Sequence, residues 1–312
     1  MTEPTRLTTG PTTGSTARPT TGPTPRPTTR PTTRLWAEGL TLSYDQRTVA
    51  TDLSVTIPDG SFTVILGPNA CGKSTLLKAL ARMIRPRAGE VHLDGAPISS
   101  YRPREIARRL GLLPQSSTAP TGITVGDLVA RGRYPHQRLL RQWSVEDEAA
   151  VAESMRQTGV LDLADRPVED LSGGQRQRVW LSMVLAQQTA ILLLDEPTTF
   201  LDIAHQIEVL DLCADLHEQR AHTIVAVLHD LNQACRYATH LVVMRAGGSI
   251  AAEGDPATVM TAELVEDVFG LPCRIIDDPE TGTPLVVPAA RKRPAARRRP
   301  AAASGMAAAA TP

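Results

Sequence analysis

The chain has 312 residues, 41% apolar and 3% aromatic, enough for one large or two small domains around an aliphatic core. Its formal net charge of zero conceals an asymmetry: residues 1–34 carry five Arg and one Glu, and residues 289–312 carry six Lys or Arg and no acid. Ends of +4 and +6 leave the body, 35–288, at −10, which argues against a nucleic-acid enzyme whose folded face is broadly basic.

Residues 1–34 are Thr, Pro, Gly and Arg, and "RPTTGPTPRPTTRPTTR" is quasi-repetitive. Such a segment buries too little surface to offset its ordering entropy and is expected to be disordered, as is the Ala/Pro/Arg-rich tail 289–312. The body, 35–288, opens with "LWAEGLTLSY" and "TVATDLSVTI", whose alternation predicts antiparallel strands. Phe62–Leu66 is a continuous apolar run ending at a glycine, as a buried parallel strand requires. A helix is predicted over Ser74–Arg82, then a strand in "GEVHLDG". Residues 103–188 are mostly helical by pattern, broken by "LGLLPQ" and by the Pro/Gly/Thr-rich stretch Ser116–Thr124. The strand "AILLLD", a helix over Ile203–Gln219, the strand "TIVAVL", a helix over Leu231–Tyr237 and a hairpin in "HLVVMRAGGSI" follow. Strand alternating with helix predicts an α/β fold with a mainly parallel core sheet, split by a helical subdomain at about 103–188.

Cys71, Cys213, Cys235 and Cys273 form no CxxC or Cys/His cluster, which speaks against zinc and suits a reducing cytosol. No apolar run approaches the ~20 residues of a membrane span, and the N-terminus lacks the apolar stretch of a secretory signal. If the protein works at a membrane, another chain is expected to supply the membrane part.

Gly67, Gly72, Lys73 and Ser74 match G-x-x-x-x-G-K-[ST] between a predicted strand and a predicted helix. The glycines let the backbone of Gly67, Pro68, Asn69, Ala70, Cys71 and Gly72 curl, so that N–H groups converge on a phosphate at a helix start. Lys73 then reaches the β/γ-phosphates, Ser74 ligates Mg²⁺ and Thr75 lies beside the α/β-phosphates. Cys71 reads either as a small filler or as a thiol whose pKa the helix start lowers; the second reading predicts ATP-protected inactivation by alkylation. At the end of an apolar strand, Asp195 can hold Mg²⁺ through water and Glu196 can polarise an attacking water. The stretch "LSGGQRQR" carries an S-x-x-Q capping box, Ser172 to Gln175, but its two glycines exceed what a cap needs. They expose a second anion-binding helix start, so that one nucleotide could be clamped between two copies of the chain.

With these motifs in this order, the body resembles the ATP-binding cassette ATPases. The resemblance implies further roles: Gln115 of "LLPQ" as the Q-loop sensor at Mg²⁺ and the lytic water, and His229 of "VLHD" as the switch histidine. It likewise implies Tyr44 as the adenine-stacking aromatic, Leu171, Ser172, Gly173, Gly174 and Gln175 as the signature surface, and Asp202 of "TTFLD" as the D-loop acid facing the partner's P-loop. Ala70, where relatives often have glycine, and the bulky Phe200 depart from the pattern.

"GRYPH" and "DDPETGTPLVVP" are similar to importer ATPases for ferric siderophores, the ferric enterobactin systems especially. "RGRYPHQRLLRQW" is expected at the surface, where the family meets the permease. The resemblance implies a homodimer that hydrolyses ATP with Mg²⁺ at the cytoplasmic face of the membrane. It implies two integral-membrane permease subunits and, indirectly, a siderophore-binding protein, with no specific nucleic acid. The rivals are import of another metal chelate or cobalamin, an exporter subunit, or a non-transport cassette. A P-loop GTPase or kinase is a further rival, but the chain carries no N-K-x-D guanine motif and that reading leaves "LSGGQ" unexplained.

Overall fold

The computed structural model describes residues 33–44, 47–116, 118–137, 143–199 and 201–290. The expectations for residues 1–32 and 291–312, for Phe200 and for the Tyr44 side chain lie outside the described residues. Along the chain run β1 (Leu35–Tyr44), β2 (Arg47–Ile57), β3 (Phe62–Leu66), α1 (Lys73–Leu80), β4 (Ala88–Leu93), β5 (Ala96–Pro97) and α2 (Pro103–Ala107). Next come β6 (Leu110–Leu113), α3 (Val125–Ala130), α4 (Val145–Gln157), α5 (Gly173–Ala186), β7 (Ile191–Asp195) and α6 (Ile203–Arg220). The remainder comprises β8 (Thr223–Val227), α7 (Leu231–Tyr237), β9 (His240–Met244), β10 (Ile250–Gly254), α8 (Pro256–Val259), α9 (Ala262–Phe269), β11 (Cys273–Asp277) and β12 (Pro284–Pro288).

The core sheet has the order β10-β9-β3-β8-β7-β6, with β10 antiparallel to β9 and the other neighbours parallel. Strands buried on both faces read as unbroken apolar runs. Successive residues divide between two cores: Val64, Leu192, Leu194, Ile224 and Ala226 face one, while Ile65, Leu193, Val225 and Val227 face the other. The second core is closed by α1 and the antiparallel sheet β2-β1-β4-β5, the first by α3 to α7.

One sequence reading gains a structure and another changes. Residues 110–113, where "LGLLPQ" breaks the helical pattern, are β6, an edge strand of the core sheet in register with β7. Its Gly111 admits close packing: a Cβ there would lie 2.8 Å from Val184 Cγ1. The "RGRYPH" stretch, expected at the surface, is in part a buried clamp. Arg133 is 5% exposed; its Nε donates to Asp147 Oδ1 at 2.8 Å and its Nη1 donates to the Ala186 carbonyl at 2.8 Å. Buried charge is tolerated when paired and hydrogen-bonded, and this pair joins α4 to the end of α5. Tyr134 does remain exposed.

Candidate active site

Four neighbouring parallel strands deliver the site from their carboxyl ends, where open α/β sheets place ligands. β3 runs into the Gly67–Gly72 loop, β8 leads to His229, β7 ends at Asp195 with Glu196 next, and β6 leads to Gln115. A cleft of about 350 Å³ opens there, lined by Asn69, Ala70, Gly72, Lys73, Ser74, Thr75, Glu196 and His229.

Gly72 N-caps α1 at φ +105°, in the left-handed region, and a Cβ there would lie 2.6 Å from Val49 Cγ1. The Gly72 N-cap supplies no side-chain cap to α1, and a helix start without one suits an anion. Lys73 is 5% exposed, and its Nζ donates to the Gly67 and Pro68 carbonyls at 2.8 and 3.0 Å. Ala70 adopts φ +60°, a left-handed backbone held despite a Cβ.

Cys71 corrects an expectation. It is 1% exposed, and burial pushes its thiol above the ordinary value, outweighing the Lys73 charge. Both burial and this upward shift favour the filler reading over the reactive thiolate.

Ser74 Oγ donates to Asp195 Oδ1 at 2.7 Å. Asp195 is 1% exposed and its Oδ2 has no hydrogen-bond partner. Burial pushes this carboxyl up, against the Ser74 hydrogen bond. A hydroxyl and a carboxylate with an unused buried oxygen form a hard-oxygen donor set, which fits Mg²⁺.

Glu196 sits in left-handed backbone at φ +53° and is gripped from three sides. Gln115 Nε2 donates to its Oε2 at 2.8 Å, Thr199 Oγ1 to the same oxygen at 3.0 Å, and His229 Nε2 lies 2.8 Å from its Oε1. Burial works to raise this carboxyl, but the His229 and Thr199 contacts prevail and hold it below its ordinary range. The two adjacent carboxyls are thus pushed apart, Asp195 up and Glu196 down, the pattern that assigns different roles to neighbouring acids.

The signature residues and Asp202 are not among the residues lining this cleft. Ser172 N-caps α5: its Oγ accepts from Gln175 N at 3.2 Å, and Gln175 Oε1 accepts from Ser172 N at 3.1 Å. Ser172 and Gly173 are exposed and Gly174 is half-buried, while the Leu171 side chain packs into the core. Asp202 is exposed and N-caps α6, and the His205 backbone N–H and ring hold its carboxyl below the usual range.

Arg47, Thr48, Val49 and Gly247 also line the cleft, and sequence reasoning missed them. They approach from the start of β2 and the β9–β10 turn, far from any motif. Thr199 was missed as well, although its place three residues after Glu196 in a turn is a usable sign.

A family profile described as ABC transporter matches residues 50–199. The chain is 59% identical over 258 residues to the ferric enterobactin transport ATP-binding protein of Escherichia coli strain K12, covering 83% of this chain and 95% of that one. The chain belongs to the ABC transporter ATP-binding proteins. It is also 52% identical over 254 residues to the achromobactin transport ATP-binding protein of Dickeya dadantii strain 3937, covering 81% and 94% of the two chains. Among solved structures it resembles a dimeric bacterial ABC transporter cassette, with a TM-score of 0.64 and 25% identity over 71% of this chain and 98% of that one. The protein is an ATPase of the cassette type. Among the described residues, no helix is long and apolar enough to cross a membrane.

Proposed function

We propose that this chain is the ATP-hydrolysing subunit of an importer for ferric siderophores, working as a homodimer at the cytoplasmic face of the membrane with two permease subunits. A siderophore-binding protein delivers the cargo to the permease. The observation that carries the cargo is the 59% identity to a ferric enterobactin transport ATPase; the relative that handles achromobactin is 52% identical. Similarity to relatives for two different chelates supports a reading in which the other components choose the chelate, because ATP chemistry alone does not read cargo.

Hydrolysis follows from the cleft. The uncapped start of α1 binds the phosphates, and Lys73, already deprived of water, transfers from two loop carbonyls to phosphate oxygens. Ser74 and Asp195, with Gln115 nearby, would hold Mg²⁺, which when bound stabilises charge on the transferring phosphoryl group. Glu196 accepts a proton from the attacking water, and Gln115, Thr199 and His229 hold its carboxylate ionised and oriented. Ser172 and Gly174 of the second copy close the same nucleotide. Hydrolysis then leaves like charges on ADP and phosphate, which drives the copies apart.

Growth of a strain deleted for this chain, on single ferric chelates as iron source, tests the cargo. Loss of growth on one or more siderophores is expected, while normal growth on all of them redirects the assignment. Glu196→Gln tests the chemistry: it should accumulate an ATP-bound dimer, and wild-type turnover would refute the base assignment.

A further inference from the structure

The first turn of α6 touches segments that the hydrolytic mechanism uses separately. His205 Nδ1 lies 2.7 Å from Asp202 Oδ1. Its ring lies against Gly174, where a Cβ would come within 3.0 Å of His205 Cδ2. The next residue, Gln206, uses both ends of its amide. Its Nε2 donates to the Leu201 carbonyl at 3.0 Å, and its Oε1 accepts from Gln233 Nε2 at 2.9 Å.

Gln233 belongs to α7, which begins two residues after His229. Asp230 Oδ1 fixes that start by accepting from the backbone N–H of Asn232 and Gln233 at 2.8 and 2.9 Å. On another side of α7, Asn232 Oδ1 accepts from Val286 N at 2.7 Å and its Nδ2 donates to Val286 O at 3.4 Å, tying the helix to β12. The short helix behind His229 is therefore held at its cap, at the C-terminal hairpin and at Gln206.

We propose that Gln233 and Gln206 form a positioning bridge that links His229 to Leu201–Asp202 and, through His205, to Gly174. His229 lines this subunit's own nucleotide cleft. Asp202 and Gly174 belong to the surface this subunit offers to the other nucleotide of the dimer. Occupancy of one site then sets the geometry of the second. This inference rests on the dimeric ATPase reading and adds a coupling between its two sites. Neither glutamine touches nucleotide; both act through other residues.

The two joints can be broken separately in the full-length chain. Gln233→Glu sets a carboxylate against Gln206 Oε1 but leaves the bond to Leu201. Gln206→Glu keeps an acceptor for Gln233 but loses the donor to Leu201. Each is expected to lower kcat by about 2- to 30-fold, the span seen for coupling residues, with KM for ATP nearly unchanged and the Hill coefficient reduced toward 1. The Leu variants Gln206→Leu and Gln233→Leu, which bring no facing carboxylates, should be no worse combined than either alone, as members of one relay are non-additive. The unfolding temperature should stay near that of the wild type. Wild-type kcat and cooperativity in both variants overturn the bridge, as does a fall in kcat with unchanged cooperativity or effects that simply add. If the unaltered chain fails to hydrolyse ATP at all, the ATPase reading falls instead.

Discussion

Two helices of this chain start beside phosphate-handling loops, and they are finished differently. The start of α1 has glycine at its N-cap and no side-chain cap. The start of α5 has a reciprocal box between Ser172 and Gln175. An uncapped start leaves donors and a partial positive charge in need of an anion; the box at α5 engages two backbone donors, Ser172 N and Gln175 N. On the function proposed above, the first holds nucleotide within one subunit, and the second completes a site on the nucleotide that another subunit brings.

The largest effect should come from emptying the first start. Lys73→Ala is expected to abolish ATP binding and lower hydrolysis by ~10²–10³, measured by nucleotide affinity and phosphate release. Retained tight binding would break the contrast. Next, inactive Lys73→Ala subunits mixed with inactive Ser172→Ala subunits should recover hydrolysis. Their mixed dimer contains one site with both an intact loop and an intact signature. No recovery above the separate variants would show that the two starts do not serve one nucleotide.

A sharper comparison separates capping from chemistry at Ser172. Asp is as good an N-cap as Ser, whereas Ala costs ~1 kcal/mol. Ser172→Asp should therefore unfold at the wild-type temperature yet lose hydrolysis, because its charge meets phosphate, while Ser172→Ala should lose both stability and activity. Equal activity in Ser172→Asp would reduce the motif to a cap.

The far end of α5 gives a smaller effect. There the Ala186 carbonyl accepts from Arg133, which is paired with Asp147. Burial pushes the Asp147 carboxyl up, but the Arg133 and Ser144 hydrogen bonds outweigh it and hold the group below 3.8. A depressed folded-state pKa contributes stability above the unfolded value that fades as pH falls through the folded one. Asp147→Asn should thus be clearly destabilising in urea near pH 7, with the gap narrowing below pH ~4. A constant gap would deny the charge its part. The smallest effect is chemical: under native conditions an alkylating reagent should label the partly exposed Cys273 before the buried Cys71, as peptide mass analysis would show. Faster labelling of Cys71 would revive the reactive-thiolate reading.

The core sheet was legible because strands buried on both faces leave continuous apolar runs, and β3, β7 and β8 lie where those runs are. The loop and the acid pair were legible because each follows such a strand; His229 was reached through the family resemblance. Burial of polar groups was not. Nothing in "RGRYPH" announces that Asp147, 14 residues on, neutralises Arg133, and a helix-start argument for Cys71 omits the desolvation that wins. Arg47 and Val49 reach the cleft through packing of the antiparallel sheet, which has no short-range trace. The Gln206–Gln233 pair is 27 residues apart and reads in the sequence as two ordinary polar side chains.

Glu196 holds its carboxylate in place from a left-handed backbone at φ +53°, a conformation that costs an L-residue roughly 1–3 kcal/mol. A programme of thermal hardening that ranked positions by backbone discomfort would choose this one early and install glycine or asparagine. On the mechanism proposed above, the product would lose the water-activating carboxylate together with the strain, and Gln115, Thr199 and His229 would lose the group they hold.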